Sequence, residues 1–376
     1  MPEQRLINAK RIVVKLGSNV ITSQNSLNLD VIQSISRQVS ELMDQGIEVI
    51  LVSSGAMAAG IRKMGFTSRP EEIPKRQAVS AIGQSGLINA YEKAFKQFDN
   101  KVAQILLTSE DLNNRKRYLN ARNSLNTLLS WNVVPVINEN DTIMIEEIKL
   151  GDNDNLAAMI TLLMDADFLF ILTDIDGLYD KDPRLHPNAQ LISKVTTFEK
   201  KLENFASEIP GTLGTGGMLS KIQAAKKVTM AGIPMIVAKG DRKNILLRLL
   251  DDCHAHGTYF APKNKKLASR KCWIAYTLIP KGTITIDDGA KKAIMSNGKS
   301  LLPIGIVDVK GKFDVGSAVT FESTNFEKIG IGLVNYSASD VRLIKGLKTH
   351  QIKSCLGSKH YDEVIHRDNL VILDQC

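Results

Sequence analysis

Short apolar runs recur through the first two-thirds of the chain: 11–15 (Arg-Ile-Val-Val-Lys), 47–53 (Ile-Glu-Val-Ile-Leu-Val-Ser), 101–108 (Lys-Val-Ala-Gln-Ile-Leu-Leu-Thr), 133–137 (Val-Val-Pro-Val-Ile), 168–173 (Phe-Leu-Phe-Ile-Leu-Thr) and 234–238 (Pro-Met-Ile-Val-Ala). Runs this short and this apolar predict strands buried on both faces. Between them the period lengthens. Ile32, Ile35, Val39 and Leu42 fall three or four apart, the spacing of one helical face, and Gly46 stands where that helix must stop. Strands alternating with helices predict an α/β domain with a mainly parallel sheet covered on both faces. From about residue 280 the runs become short and broken by glycine: 283–286 (Thr-Ile-Thr-Ile), 305–309 (Gly-Ile-Val-Asp-Val), 318–321 (Ala-Val-Thr-Phe) and 329–334 (Ile-Gly-Ile-Gly-Leu-Val). That texture predicts a compact all-β module.

The change divides the chain into an α/β domain over 1–265, a linker over 266–278, a small β domain over 279–357 and a C-terminal extension over 358–376. The polar, basic stretch Lys263–Lys271 belongs to the connection. Composition fits an ordinary globular chain of more than one domain: 376 residues, 43% apolar and 23% charged. No apolar run approaches the ~20 residues of a membrane helix, and the N-terminus lacks the pattern of a secretory signal. The four cysteines, Cys253, Cys272, Cys355 and Cys376, are scattered without C-x-x-C spacing, which suits reduced thiols. A cytoplasmic protein without membrane attachment is expected. Cys253-His254-Ala255-His256 is the only soft-ligand cluster, and no protein metal site is expected there.

The net charge of +8 is unevenly placed, because residues 261–376 hold 18 Lys and Arg against 11 Asp and Glu. A basic segment can mark a polyanion partner, so an RNA-binding protein acting through this segment is an alternative reading. Only 5% of the chain is aromatic, which leaves little for base stacking, and nucleic acid is not the expected partner.

Ligands of open parallel sheets bind beyond the strand C-termini, beside helix N-termini that favour anions. Lys15-Leu16-Gly17-Ser18-Asn19 follows the first run and Ser53-Ser54-Gly55-Ala56-Met57 the second, each placing a glycine where backbone can approach a phosphate. The chain has neither a G-x-x-x-x-G-K-[ST] loop nor a G-x-G-x-x-G fingerprint. Gly211-Thr212-Leu213-Gly214-Thr215-Gly216-Gly217 puts four glycines in seven positions, and Met218-Leu219-Ser220-Lys221 opens a helical run. Such a loop suits close backbone approach to a nucleotide, and Lys15 and Lys221 can then converge on a transferring phosphoryl group. Asn138-Glu139-Asn140-Asp141-Thr142 and Gly151-Asp152-Asn153-Asp154-Asn155 add two Asp/Asn-rich blocks. Their carboxylates can receive an ammonium or orient the lysines, and their amides can hold a carboxylate. Thr173-Asp174-Ile175-Asp176-Gly177 ends another strand and can line a nucleotide pocket. It lacks the remaining positions of a calcium loop. His366-Arg367-Asp368 copies the start of a protein-kinase catalytic loop but stands too near the chain end for the rest of that apparatus.

At these residues the sequence resembles the amino acid kinase superfamily and, within it, the glutamate 5-kinase family. The resemblance is carried by Val13-Val14-Lys15-Leu16-Gly17-Ser18, Ser53-Ser54-Gly55-Ala56, Val136-Ile137-Asn138-Glu139-Asn140-Asp141, Gly151–Asn155, Leu172-Thr173-Asp174 and Gly214–Met218. Ile286-Asp287-Asp288-Gly289-Ala290, Ser300-Leu301-Leu302-Pro303 and Gly311-x-Phe313-x-x-Gly316 resemble the PUA domain that follows many bacterial members. Another amino-acid or carbamate-type kinase of the same fold is the alternative within this resemblance, although such kinases share the lysine-glycine start and usually lack the Asn-Glu-Asn-Asp block.

The resemblance implies an α/β/α sandwich followed by a PUA-like β barrel, with ATP and Mg2+ phosphorylating the γ-carboxylate of L-glutamate. It implies that Lys15 and Lys221 neutralise the phosphoryl group, that Asp154 holds both lysines, and that Gly17 and Gly55 offer backbone N–H groups. Ser54, Asp141 and Asn153 would bind glutamate, and Thr173, Asp174 and the loop Thr215-Gly216-Gly217-Met218-Leu219-Ser220-Lys221 would bind ATP. Proline as a feedback inhibitor and a homodimer or homotetramer are also implied, neither with a separable motif in the sequence.

Overall fold

In the computed structural model, which describes residues 9–23, 26–143, 153–198, 217–252, 256–263 and 269–373, each of the six apolar runs becomes a strand of one sheet. The strands of the first unit, Met1–Lys266, are β1 (Arg11–Leu16), the short pair β2 (Thr22–Ser23) and β3 (Ser26–Leu27), β4 (Glu48–Ser53), β5 (Lys101–Leu107), β6 (Val133–Glu139), β7 (Phe168–Thr173), β8 (Lys194–Val195), β9 (Met235–Lys239) and β10 (Thr258–Phe260). Among the described residues the large sheet has eight strands, ordered β5-β6-β4-β1-β7-β9-β10-β8. All neighbours run parallel except β9 and β10. The last two strands of that order, β10 and the edge strand β8, carry too few residues to show as runs in the sequence.

The helices of this unit are α1 (Ser18–Ile21), α2 (Leu29–Asp44), α3 (Ala56–Met64), α4 (Ile73–Lys96), α5 (Ser109–Asn113), α6 (Arg115–Ser130), α7 (Asn153–Leu163), α8 (Met218–Met230) and α9 (Ile245–Asp251). α2 is the helix that Ile32, Ile35, Val39 and Leu42 predict. The Asn28 side chain caps it by accepting from Val31 N–H at 3.3 Å, and Gly46, at φ +82°, lies just beyond its end. Alternation along β1 separates the two faces of the sheet. Ile12, Val14 and Leu16 pack in one core with α2, α4 and α9, whereas Val13 and Lys15 point to the other face, where α7 lies. Helices on both faces make the expected three-layer α/β/α sandwich.

Strand order positions the site. β6, β4, β1 and β7 are neighbours, so the residues at their C-terminal ends, Asn138, Ser53, Lys15 and Thr173, form one row. The chain leaves β1 toward β4 on one side and returns at β7 on the other, which opens a crevice beyond β1 where ligands of such sheets bind.

The second unit, Leu267–Cys376, holds β11 (Gly282–Ile286), β12 (Ile306–Gly311), β13 (Ala318–Ser323), β14 (Lys328–Leu333) and β15 (Leu370–Ile372), ordered β12-β11-β13-β14-β15. It is β-rich but not all-β. α10 (Ser269–Tyr276), α11 (Asp288–Asn297), α12 (Ala338–Ile344) and α13 (Ile352–Leu356) accompany the sheet. α10 falls within the expected linker yet packs on β14 and β15, and the expected C-terminal extension supplies β15 itself. Ahead of β15, His366-Arg367-Asp368 lies at a surface turn in which His366 Nδ1 accepts from Asp368 N–H at 3.2 Å. Among the described residues no helix is long and apolar enough to cross a membrane.

Candidate active site

Lys15 is the last inward position of β1 before the chain turns at Gly17, and both the strand and the lysine are buried. Its Nζ lies 2.5 Å from Oδ1 of Asp154, the second residue of α7. Lys221, in the first turns of α8, reaches the other oxygen: its Nζ lies 2.9 Å from Oδ2. Asp154 is fully buried and each lysine is 5% exposed. Burial pushes the Asp154 carboxyl up, but the two ammonium groups outweigh it and hold the group well below the usual carboxylate range. Two cations and one anion leave a local excess of positive charge in a dry position, the electrostatics a transferring phosphoryl group requires. Ser220 Oγ lies 2.8 Å from both Asp154 Oδ2 and the Gly217 carbonyl, so its single proton serves one acceptor at a time.

Asn153 Nδ2 lies 3.0 Å from the Ser53 carbonyl, 3.1 Å from Ser54 Oγ and 3.0 Å from Asn138 Oδ1, joining α7 to the ends of β4 and β6. Gly55 follows Ser54 in a left-handed conformation, φ +103°, that a side chain would strain. Asp141 sits in the turn after β6, where its Oδ2 accepts from the hydroxyl of Ser80 on α4. Of the three expected glutamate ligands, Ser54 and Asp141 follow the adjacent strands β4 and β6, and Asn153, at the start of α7, bonds to the ends of both.

On the opposite flank of β1, Thr173 ends β7 and its hydroxyl lies 3.0 Å from Oδ1 of Asp174. Asn19 Nδ2 donates to Asp174 Oδ2 at 2.8 Å, tying the turn after β1 to the turn after β7. Burial raises the Asp174 carboxyl, while bonds from Asn19, its own amide and Thr173 together with the Lys221 charge bring it below its ordinary value. Lys221 therefore acts electrostatically on both carboxylates. Asp176 bonds Arg242 at 2.6 Å and the Tyr179 hydroxyl at 3.1 Å, which occupies it as a structural ion pair.

One expectation is corrected. The Gly17 N–H donates to the Leu172 carbonyl at 2.9 Å, so it is spent in joining the β1 turn to β7 and is not offered to a phosphate. What Gly17 supplies is clearance, because a Cβ there would lie 3.2 Å from that carbonyl oxygen and 3.9 Å from Lys15 Nζ. Gly217, Met218, Leu219, Ser220 and Lys221 lead into and open α8, beside Asp154. Thr215 and Gly216 lie outside the described residues, as do Cys253 and His254 of the soft-ligand cluster. Among the described residues no group of three His, Cys, Asp or Glu side chains is arranged to hold a metal ion. The two carboxylates nearest the lysines are already engaged by Lys15, Lys221, Asn19 and Thr173, so the donor set does not fit a protein-held cation.

Sequence reasoning missed Asn19, Ser80 and Asn138. Asn138 was visible within the Asn-Glu-Asn-Asp block, but nothing in the chain marks Ser80 or pairs Asn19 with Asp174.

The profile of the Amino acid kinase family matches residues 10–239, and that of the PUA domain matches residues 282–356. The chain is 49% identical over 366 residues to a protein named glutamate 5-kinase from Thermoanaerobacter sp. (strain X514), spanning 97% of this chain and 98% of that one. To the glutamate 5-kinase of Geobacter sulfurreducens it is 49% identical over 369 residues, 98% and 99% of the two chains. Among solved structures, an isopentenyl phosphate kinase is similar with a TM-score of 0.46 at 16% identity, covering 67% of this chain and 100% of that chain.

Proposed function

Because the chain belongs to the amino acid kinase family and, within it, to the glutamate 5-kinases, we propose that Lys15, Asp154 and Lys221 carry its phosphoryl transfer. The reaction moves the γ-phosphoryl group of ATP to the γ-carboxylate of L-glutamate, giving γ-glutamyl phosphate, the first step of proline biosynthesis. The nucleophile needs no general base, since a glutamate carboxyl of ordinary pKa ~4.3 is an anion at neutral pH. What the protein must supply is alignment and charge. Lys15 and Lys221 neutralise the oxygens of the group in flight, each worth on the order of 10²-fold or more in turnover. Asp154 keeps the two ammonium groups together against their mutual repulsion and fixes where they point.

Ser54 and Asn153 hold the substrate on the β4 side and Asp141 receives its ammonium. Thr173, Asp174 and the loop from Thr215 to Lys221, including Gly216, Gly217, Met218, Leu219 and Ser220, take ATP, with Gly17 leaving room beside Lys15. Mg2+ enters as part of the nucleotide substrate, held by phosphate oxygens and water. Family membership and the scattered cysteines support a cytoplasmic enzyme. Family membership also supports proline as a feedback inhibitor and a homodimer or homotetramer.

The single observation behind this reading is the carboxylate of Asp154 shared by two buried lysines at the end of β1. An ATP-dependent hydroxylamine trap of the acyl phosphate tests it, comparing glutamate with aspartate, acetylglutamate and carbamate. Product with glutamate is expected. Product with another acid but none with glutamate would overturn the substrate. The alternative of an RNA-binding protein is not favoured, since the relatives that span the whole chain are kinases.

A further inference from the structure

α4 is a core helix that carries polar groups on its buried face. Ser80 is fully buried, Gln84 is 8% exposed and Tyr91 is fully buried, at spacings of four and seven residues that keep them on one side of the helix. Buried polar groups require partners, and all three find them in the segments that carry the proposed glutamate ligands. The Ser80 hydroxyl donates to Asp141 Oδ2. Gln84 Nε2 lies 3.5 Å from the Glu139 carbonyl, and its Oε1 accepts from Gln104 at 2.9 Å. The Tyr91 hydroxyl lies 2.8 Å from Ser53 Oγ, next to Ser54. Burial pushes the Tyr91 phenol up, so it stays neutral in this contact.

Asp141 is the member of this set most in need of support. It stands in a turn rather than on a strand, and among the described residues Ser80 is the only group bonded to its side chain. An aspartate in a surface turn samples several rotamers, and a ligand that needs one of them must order the rest on binding. The Ser80 proton occupies Oδ2 and restrains the carboxylate, while among the described residues Oδ1 accepts no bond and can take an ammonium.

We propose that Ser80 is a positioning residue for substrate selection: it holds Asp141 in the orientation that receives the α-ammonium of glutamate. This rests on the reading of Asp141 as the ammonium ligand. The bond is charge-assisted and part-buried, so its loss should weaken ammonium recognition by about tenfold, without touching the lysines that act on the phosphoryl group.

The test measures kcat, the KM values of glutamate and ATP, and the Ki of glutarate, a dicarboxylate that lacks the ammonium and competes with glutamate. Ser80→Ala is expected to raise the KM of glutamate about tenfold while kcat, the KM of ATP and the Ki of glutarate stay within twofold. Asp141→Asn should raise the KM of glutamate more strongly, and adding Ser80→Ala to it should change that KM by less than twofold, because the two act through one contact. Ser80→Cys keeps the volume and loses the strong donor, so it replaces the alanine variant if that one does not fold. If Asp141→Asn raises the KM of glutamate and neither Ser80 variant does, the positioning role is wrong and the Asp141 reading stands. An unchanged KM in Asp141→Asn overturns both. Equal losses for glutamate, ATP and glutarate would show a general packing role and also overturn it.

Discussion

Lys15 and Lys221 hold opposite oxygens of one carboxylate, with Nζ 2.5 Å from Asp154 Oδ1 and 2.9 Å from Asp154 Oδ2. All three are buried, so the aspartate is the counter-charge that makes a two-lysine site tolerable in a folded core. Asp154→Asn keeps the shape and removes that charge. It should cost about 3–5 kcal/mol of stability and lower kcat by on the order of 10²-fold or more. Lys221→Met leaves a matched Lys15–Asp154 pair, so it should lose turnover to a similar degree but far less stability. Thermal unfolding set beside steady-state kinetics on both variants separates the two effects. Equal stability losses would contradict the counter-charge role.

The same carboxylate sets an acid limit. Burial opposes ionisation and the two lysines more than reverse it, so the folded group titrates below its ordinary 3.8. A depressed carboxylate stabilises the folded state in full above its unfolded pKa and loses that contribution as pH falls from there through the folded value. The Tm gap between wild type and Asp154→Asn should therefore be constant from about pH 8 to 5 and close below about pH 4. A gap that already narrows between pH 7 and 6 would assign the effect to another group.

α3 and α4 cross closely enough that a side chain does not fit. A Cβ on Gly83 would lie 1.7 Å from the Ala56 carbonyl oxygen, and one on Gly60 would lie 1.9 Å from the Val79 carbonyl oxygen. Both obstacles are backbone, which no rotamer change relieves. Gly83→Ala must push the helices apart, at a cost of about 3 kcal/mol or more. Because α3 begins directly after Ser54 and Gly55, the displacement should also raise the KM of glutamate. Wild-type Tm and KM in this variant would show that the crossing is looser than its geometry.

Much of this arrangement was legible in the chain because strands buried on both faces need continuous apolar runs, and the chemistry sits where those runs stop. Lys15 stood out at such a stop, Asn153 and Asp154 in an Asp/Asn-rich block, and Lys221 at the helix that a glycine-rich loop opens. Contacts made across the fold left no such trace. Ser80 is an ordinary serine within a helical pattern until α4 is laid behind β6. Gly17 reads as a free N–H donor until β7 is placed beside β1 and Leu172 takes that proton. β8, β10 and β15 have two or three residues each, too few for a period to show. α10 hid at the end of a lysine-rich stretch because its packing against β14 and β15 decides it, rather than its own periodicity.

Lys227, on α8, is a largely buried ammonium with a neutral partner, donating to Asn155 Oδ1. Burial alone lowers its pKa from the ordinary 10.5, and among the described residues no carboxylate forms an ion pair with it. A lysine depressed in the folded state binds fewer protons there than in the unfolded chain. Its protonation therefore destabilises the fold below the folded pKa, and the penalty fades as pH rises toward 10.5. Lys227→Met keeps the length of the chain and removes the charge. Asn155 is only half-buried, so water can replace the lost donor. The variant should gain about 1 kcal/mol near neutral pH, and the gain should shrink steadily as the pH is raised to about 10. Thermal unfolding of both proteins across that range checks it. A difference that does not change with pH would mean that Lys227 titrates alike in the folded and unfolded chain, and that its ammonium reaches water.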